Sequence, residues 1–155
     1  MEKMKTIVET VAEEHRRINE ISEELRSKLY DLSENPKESE VKELLSIFLK
    51  LKWNLEKHMF VEEKVMINSY ISRLNDGKSE TASHIVKDHR EIIEFLVKIE
   101  EKIRDGRKPS IDSLMALISG HEKLEEKIFY PKLDEELTTE EKEIIINRSE
   151  EVLIG

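Results

Sequence analysis

Six residues of this 155-residue chain have the side-chain types and the spacing of a metal site. His58 precedes Glu62 by four residues, and His121 precedes Glu125 by four, in two copies of the pattern His-x-x-x-Glu-Glu-Lys. Residues four apart lie on one face of an α-helix, so each pair can direct an imidazole and a carboxylate at one ion. The full candidate set is His15, His58, Glu62, His89, His121 and Glu125. Since the chain has no cysteine, any metal would be held by histidine and carboxylate.

Long helices are the elements that would have to position these side chains. The chain is 39% charged, has only 5% aromatic residues, and contains 4 Gly and 3 Pro, which is typical of helices rather than sheets. Apolar residues recur at alternating three- and four-residue steps, which indicates amphipathic helices. The predicted helices span about residues 4–32, 39–74, 78–104 and 111–137, with a short fifth helix at about 140–153. Short connections predict an all-α, up-down-up-down antiparallel four-helix bundle, in a single domain over residues 1–155.

The ends and faces of these helices follow from local signals. Pro36 and the turn sequence Asn75-Asp76-Gly77 should end the first and second helices, Ser110 should cap the fourth, and Pro131 should kink it. Thr138 or Thr139, followed by Glu141, should open the fifth helix, which would cap the bundle or make a subunit contact. The fourth helix is predicted to direct inward Leu114, Leu117, Ile118, His121, Leu124, Glu125 and Ile128.

The six candidate ligands are expected at one level of the bundle. At a rise of ~1.5 Å per residue, their distances from the interhelical loops agree to within about one turn. Glu14-His15-Arg16 also resembles Asp88-His89-Arg90, so the two halves of the chain form an internal repeat. A buried carboxylate is costly unless it is paired or bound to a cation. The set therefore favours a pair of metal ions, iron first, with manganese or zinc as alternatives.

A simpler interpretation is that each histidine is an ordinary buried residue and each glutamate is solvated beside Lys64 or Lys127. Six matched positions at one level argue against it. His84 lies five residues before His89, rotated by roughly 140°, so we expect it on the surface or behind a ligand. The remaining acidic neighbours, Glu63, Glu122 and Glu126, are expected to be solvated. Glu63 or Glu126 could nevertheless reach the second ring nitrogen of a ligand histidine.

The quoted segments, together with Tyr130-Pro131, resemble the hemerythrin-like HHE cation-binding domain. The resemblance implies a non-haem di-iron centre with an oxo or hydroxo bridge, in which Glu62 and Glu125 bridge the ions and the four histidines are terminal ligands. Oxygen-carrying hemerythrins have a second histidine on the third helix and an aspartate on the fourth, where this chain has Ile85 and Glu125. The ligand pattern is closer to the symmetric centre of the repair-of-iron-centres proteins.

The expected function is therefore the binding or reaction of a small ligand, O2, NO or peroxide, in an oxygen or nitrosative stress response or in iron-centre repair. Whether this is catalysis is left open. Iron storage, delivery or sensing is the alternative, and a metal-free interaction module is a third. The net charge of -9, without a basic stripe, argues against nucleic acid as a partner. The absence of a long apolar stretch argues against membrane contact and predicts a cytoplasmic protein, and the fifth helix could form a homodimer.

Overall fold

The computed structural model describes residues 6–68 and 80–154, and all regular secondary structure in these ranges is helical. Two stretches have π-helical geometry, in which backbone bonds run to the fifth residue along. The elements are α1 (Ile7–Asp31), α2 (Glu38–Phe60), π1 (Val61–Ile67), α3 (Glu80–Arg104), α4 (Asp112–Leu124), π2 (Glu125–Phe129), α5 (Tyr130–Glu136) and α6 (Thr139–Ile154). Since α2 runs directly into π1, and α4 runs through π2 into α5, the chain forms four long helical rods and α6.

The four rods pack as the predicted antiparallel bundle. Helix α1 packs on α2, α2 on α3, α3 on α4, and α5 returns to α1, which closes the ring. Helix α6 packs on α1, α2 and π1, so it covers one end of the bundle. Its inward residues Ile145 and Ile146 join the core there. Of the two roles considered for the fifth helix, the structure shows the packing role.

The core consists of two apolar clusters separated by a polar layer. One cluster contains Ile18 of α1 and Ile92 of α3, and the other contains Val11 and Ile85 of the same helices. The buried polar side chains of α1 and α3 that come between these positions include His15 and His89. The layer is therefore enclosed by hydrocarbon above and below, which lowers the local dielectric and strengthens the interactions of charged groups inside it.

Side chains fix several helix ends. The Asp134 carboxylate of α5 accepts hydrogen bonds from the backbone N–H groups of Ile7 and Val8, at 3.0 and 3.3 Å, which ties the start of α1 to α5. Thr138 and Glu141 cap α6 reciprocally: the Thr138 hydroxyl accepts from Glu141 N at 3.1 Å, and the Glu141 carboxylate accepts from Thr138 N at 2.8 Å. Of the two threonines predicted as the start of the fifth helix, Thr138 is the one that caps it.

The prediction that Ser110 caps the fourth helix is wrong. The residue before α4 is Ile111, and no side chain caps the helix there. Ile111 is buried in the core, so packing rather than a hydroxyl determines where α4 begins. The second predicted helix is observed as far as Asn68, and the predicted turn at residues 75–77 lies outside the described residues.

The fourth rod departs from the predicted pattern at π2. Ile128, which was predicted to face inward, is 49% exposed, whereas Phe129 and Tyr130 are fully buried. A π-helical turn takes one residue more than an α-helical turn, so the inward face moves on by one position. Only Tyr130 separates this turn from Pro131, which has no N–H to donate to an α-helical bond. The rod therefore changes its phase within a continuous helix.

Candidate metal centre

The bundle brings all six candidate ligands into the polar layer. The four histidines come from four different rods, and both glutamates lie in the π-helical stretches, Glu62 in π1 and Glu125 in π2. All six side chains are buried, and the two carboxylates are completely inaccessible. Because the rods are antiparallel, residues that are far apart in sequence reach the same level, as the rise per residue predicts.

His15 and His58 form the first half of the cluster. Their Nε2 atoms lie 3.1 Å apart, and Oε1 of Glu125 lies 3.2 Å from His15 Nε2 and 3.3 Å from His58 Nε2. These three ligand atoms are within 4.8 Å of one another. Such convergence of three donor atoms on one point is what a metal ion requires.

His89 and His121 form the second half. Their Nε2 atoms lie 3.2 Å apart, and Glu62 Oε1 lies 3.3 Å from His89 and 3.6 Å from His121. Glu125 also belongs to this half, since its Oε2 lies 3.2 Å from His121 Nε2. Glu62 in turn lies 2.8 Å from His58 Nε2 in the first half. Both carboxylates therefore stand between the two histidine pairs.

A second row of acidic side chains lies behind the rings. Glu126 Oε1 lies 2.8 Å from His15 Nδ1, and Asp88 Oδ2 lies 3.0 Å from His121 Nδ1. A carboxylate that binds Nδ1 fixes the ring orientation and leaves Nε2 for a metal. Glu63 lies 3.7 Å from His89 Nδ1, too far for a hydrogen bond. Glu126 thus makes the contact considered for it in the sequence, while its side chain stays 43% exposed.

The prediction that Glu122 is solvated is wrong. Glu122 is only 9% exposed, and its carboxylate accepts a hydrogen bond from Asn19 Nδ2 at 3.1 Å, because α1 covers this face of α4. The sequence reasoning also missed Glu14 and Asp88, which are buried. Each of them directly precedes a candidate ligand on the repeated Glu/Asp-His pair, and that position was the available signal.

His84 lies outside the cluster. Its side chain is 61% exposed, and its Nε2 lies 3.5 Å from Asp88 Oδ1. It therefore approaches the back of the carboxylate that holds His121, and it does not join the six candidate ligands. This position agrees with the expectation of a surface residue or one behind a ligand.

Charge interactions within the layer shift the pKa values of its side chains. Burial alone would raise the pKa of Glu62, but His58 and hydrogen bonds from histidines hold it well below its usual range. Burial lowers the pKa of His58, yet Glu62 outweighs it, so the net pKa is raised. Burial and the nearby His58 lower the pKa of His15. In the metal-free protein Glu62 is therefore an anion paired with His58, and His15 is neutral near pH 7.

The carboxylates retain binding capacity that the described residues do not use. Oε2 of Glu62 and Oε2 of Glu125 are buried and accept no hydrogen bond of good geometry in the described part of the chain, although Glu125 Oε2 lies 3.2 Å from His121 Nε2. Buried carboxylate oxygens are normally satisfied, so these two atoms point to a missing cation. Imidazole nitrogens and shared carboxylates suit iron, manganese or zinc. The residues present therefore fit a pair of such ions.

Comparison with known families decides the relationship. The model of the hemerythrin HHE cation binding domain matches residues 6–133, which cover the chain from the start of α1 into α5. The chain belongs to this family. The resemblance seen in the ligand pattern is thus confirmed; the family's description names cation binding, and the buried His/Glu layer fits a metal site. No curated protein and no solved structure matches this HHE domain at a significant level.

A groove reaches the HHE layer from outside at His15. Its volume is about 570 Å³, it is open along the surface of α1, and it touches His15 and Glu126. Arg16, Glu20 and Glu23 line its outer part. Within the described ranges, no helix is both long and apolar enough to span a membrane.

Proposed function

We propose that this HHE domain binds two iron ions in the His/Glu layer and, through them, binds or reacts with a small ligand such as O2, NO or peroxide. The observation that carries the proposal is the pair of ligand groups that share Glu125. A carboxylate common to two groups of buried donors suits two adjacent ions better than one.

The residues divide by their contacts. His15 and His58 would hold one ion, His89 and His121 the other, and Glu62 and Glu125 would be shared. When bound, iron supplies a redox-active cation that accepts small ligands at an open coordination position. The protein supplies the surroundings, since second-row carboxylates orient the imidazoles and the two apolar clusters restrict access to small molecules.

Reconstitution with Fe(II) under anaerobic conditions tests the proposal. Because the layer contains two groups of ligands, metal analysis should find about two irons per chain. After oxidation, the ferric absorption should change when azide is added, and the ferrous protein should change when NO is added. A chain that binds no iron, or that holds two irons and responds to neither probe, would contradict the proposal.

Two histidine variants make a matched pair for this experiment. His15→Ala removes a buried ligand from the first group, so we expect one iron per chain. His84→Ala removes an exposed imidazole that lies outside both groups, so two irons should remain. Loss of iron in His84→Ala would show that the assignment of ligands is wrong.

Iron storage, delivery or sensing is the second candidate, and the extra buried acid near the cluster favours it. Glu14 Oε1 and Glu122 Oε1 are buried and have no hydrogen-bond partner in the described ranges. Negative charge beside the layer strengthens its attraction for cations. Transfer of the iron to a chelator within minutes would support delivery, whereas retention over hours together with azide binding supports the first proposal.

A further inference from the structure

Tyr130 enters the ligand layer because of the π-helical turn. It follows Glu125 by five residues, and in an α-helix these two side chains would lie about 140° apart. In π2 the backbone N–H of Tyr130 donates to the carbonyl oxygen of Glu125, so the helix completes its turn at Tyr130. Tyr130 is fully buried as a result, and its ring centroid lies 5.8 Å from that of His15.

The hydroxyl of Tyr130 is a hydrogen-bond donor close to the Glu62 carboxylate. It is buried, and it has no hydrogen-bond partner in the part of the chain that the structure describes. A buried hydroxyl without a partner destabilises a fold, so its presence calls for an explanation. Burial and the nearby Glu62 carboxylate raise the pKa of Tyr130 well above its usual range. A phenol keeps its proton near neutral pH even at its ordinary pKa, so the hydroxyl is available as a donor.

Glu62 is the carboxylate that acts most strongly on Tyr130, but the metal would occupy it. Its Oε1 contacts three histidines, and its Oε2 has no hydrogen-bond partner. A carboxylate shared by two ions uses both oxygens for them. The Tyr130 hydroxyl is then a buried donor whose hydrogen-bonding capacity neither the described residues nor the metals use; His89 Nδ1 also has no partner, but it lies on the side of its ring away from the ligand atoms.

In the described part of the chain, the Tyr130 hydroxyl lies on the His15 side of the layer. The position five residues after Glu62 in π1 corresponds to Tyr130 in the repeat, and it is Ile67, which is buried and has no polar group. The groove from solvent also reaches the layer at His15, the ring next to Tyr130. The groove and the donor therefore lie on the same side of the layer, that of His15.

We propose that the Tyr130 hydroxyl donates a hydrogen bond to a small, negatively polarised ligand bound at the metal pair, and so sets the affinity of the centre for such ligands. This inference rests on the proposed function. The ligands it concerns are anions such as azide and diatomic molecules that gain negative charge on binding. A ligand that cannot accept a hydrogen bond would gain nothing from Tyr130.

Tyr130→Phe tests the proposal, since it keeps the ring and removes the hydroxyl. In the ferric protein with two irons, titration with azide followed by absorption should show an affinity about fivefold weaker than that of the wild type, the contribution of one hydrogen bond. The iron content should not change. In the metal-free protein the melting temperature should stay the same or rise, because an unpartnered buried hydroxyl is removed.

The control variant is Tyr30→Phe, because Tyr30 is 87% exposed and lies at the end of α1, well beyond His15 in the sequence. The azide affinity of Tyr30→Phe should equal that of the wild type. If the wild type with two irons binds no azide, the proposed function fails, and this inference with it. If the wild type binds azide and Tyr130→Phe binds it equally well, the inference alone is refuted. Lower iron content or a lower metal-free melting temperature in Tyr130→Phe would show instead that the hydroxyl supports the ligands, and would also refute it.

Discussion

Glu125 and Glu126 offer a sharp test of the metal centre, because these neighbours both contact His15 from opposite sides. Glu125 is completely buried and lies 3.2 Å from Nε2 of the ring, in both ligand groups. Glu126 is 43% exposed and lies 2.8 Å from Nδ1. Replacement by Gln removes one carboxylate in each case with little change of volume. The two variants should nevertheless differ greatly in metal binding.

The expected rise in melting temperature follows from the linkage between metal binding and folding. A metal at a free concentration of about 100 times its Kd stabilises the fold by about 2.7 kcal/mol per site, so two sites give about 5 kcal/mol. For a chain of this length that raises Tm by about 10–20 °C. Glu125→Gln should abolish the rise, because both groups lose their shared ligand. Loss of a second-row carboxylate weakens metal binding by about 10–100-fold, so Glu126→Gln should keep a rise of about 6–16 °C.

Differential scanning calorimetry with and without Fe(II), under anaerobic conditions, measures these shifts. Each variant is compared with its own metal-free form, so that effects of the substitution on the empty fold cancel. Equal shifts in Glu125→Gln and the wild type would refute the shared-ligand arrangement. No shift in the wild type would favour the simpler interpretation, in which the buried histidines are structural.

Three further predictions follow from single contacts. Asp88→Ala should weaken the binding of one of the two irons by about 10–100-fold in a chelator competition assay, since it frees a ligand ring; equal weakening of both irons would contradict this. In the metal-free protein, the stability advantage of the wild type over Glu62→Gln should be greatest between pH 4.5 and 6.5, the ordinary pKa values of the two partners. It should fall as the pH rises through the raised pKa of His58 and as the pH falls toward the lowered pKa of Glu62, and an advantage independent of pH in urea titrations would refute the pairing. Gly106 has φ 72°, a left-handed backbone conformation that alanine adopts only with strain, so Gly106→Ala should lower Tm by about 2–4 °C. Gly120 lies within α4, where alanine is the better helix former, so Gly120→Ala should raise Tm slightly. If both variants shift Tm in the same direction, backbone conformation is not the reason for the effect.

The bundle and its ligand layer could be predicted because they depend on regular quantities. Inward residues of α3 such as Ile85, His89 and Ile92 recur with the helical period, and all three are buried as expected. The constant rise per residue then places ligands of different rods at one level. Neither step requires knowledge of the packing, so the sequence is sufficient for both.

The π-helical turns could not be predicted in this way. They add one residue to a turn, so every later side chain of the rod faces a new direction. The prediction for Ile128 fails at this point, and Tyr130, which the period places away from the layer, becomes part of it. The signal in the sequence was Pro131, which predicts a disturbed helix but does not tell how the helix adjusts.

The same local differences make the two halves of the repeat chemically unequal. Their ligands correspond one to one, but Glu122 beside His121 corresponds to Met59 beside His58, and both are buried. Glu122 acts electrostatically on His15 and His58, so the additional carboxylate belongs to the first histidine pair. A buried negative charge favours a cation at that position over the other. With two ions bound, the symmetric ligand set would therefore not make two equivalent sites, and the pair formed by His15 and His58, of which His15 touches the groove, should bind the more highly charged ion.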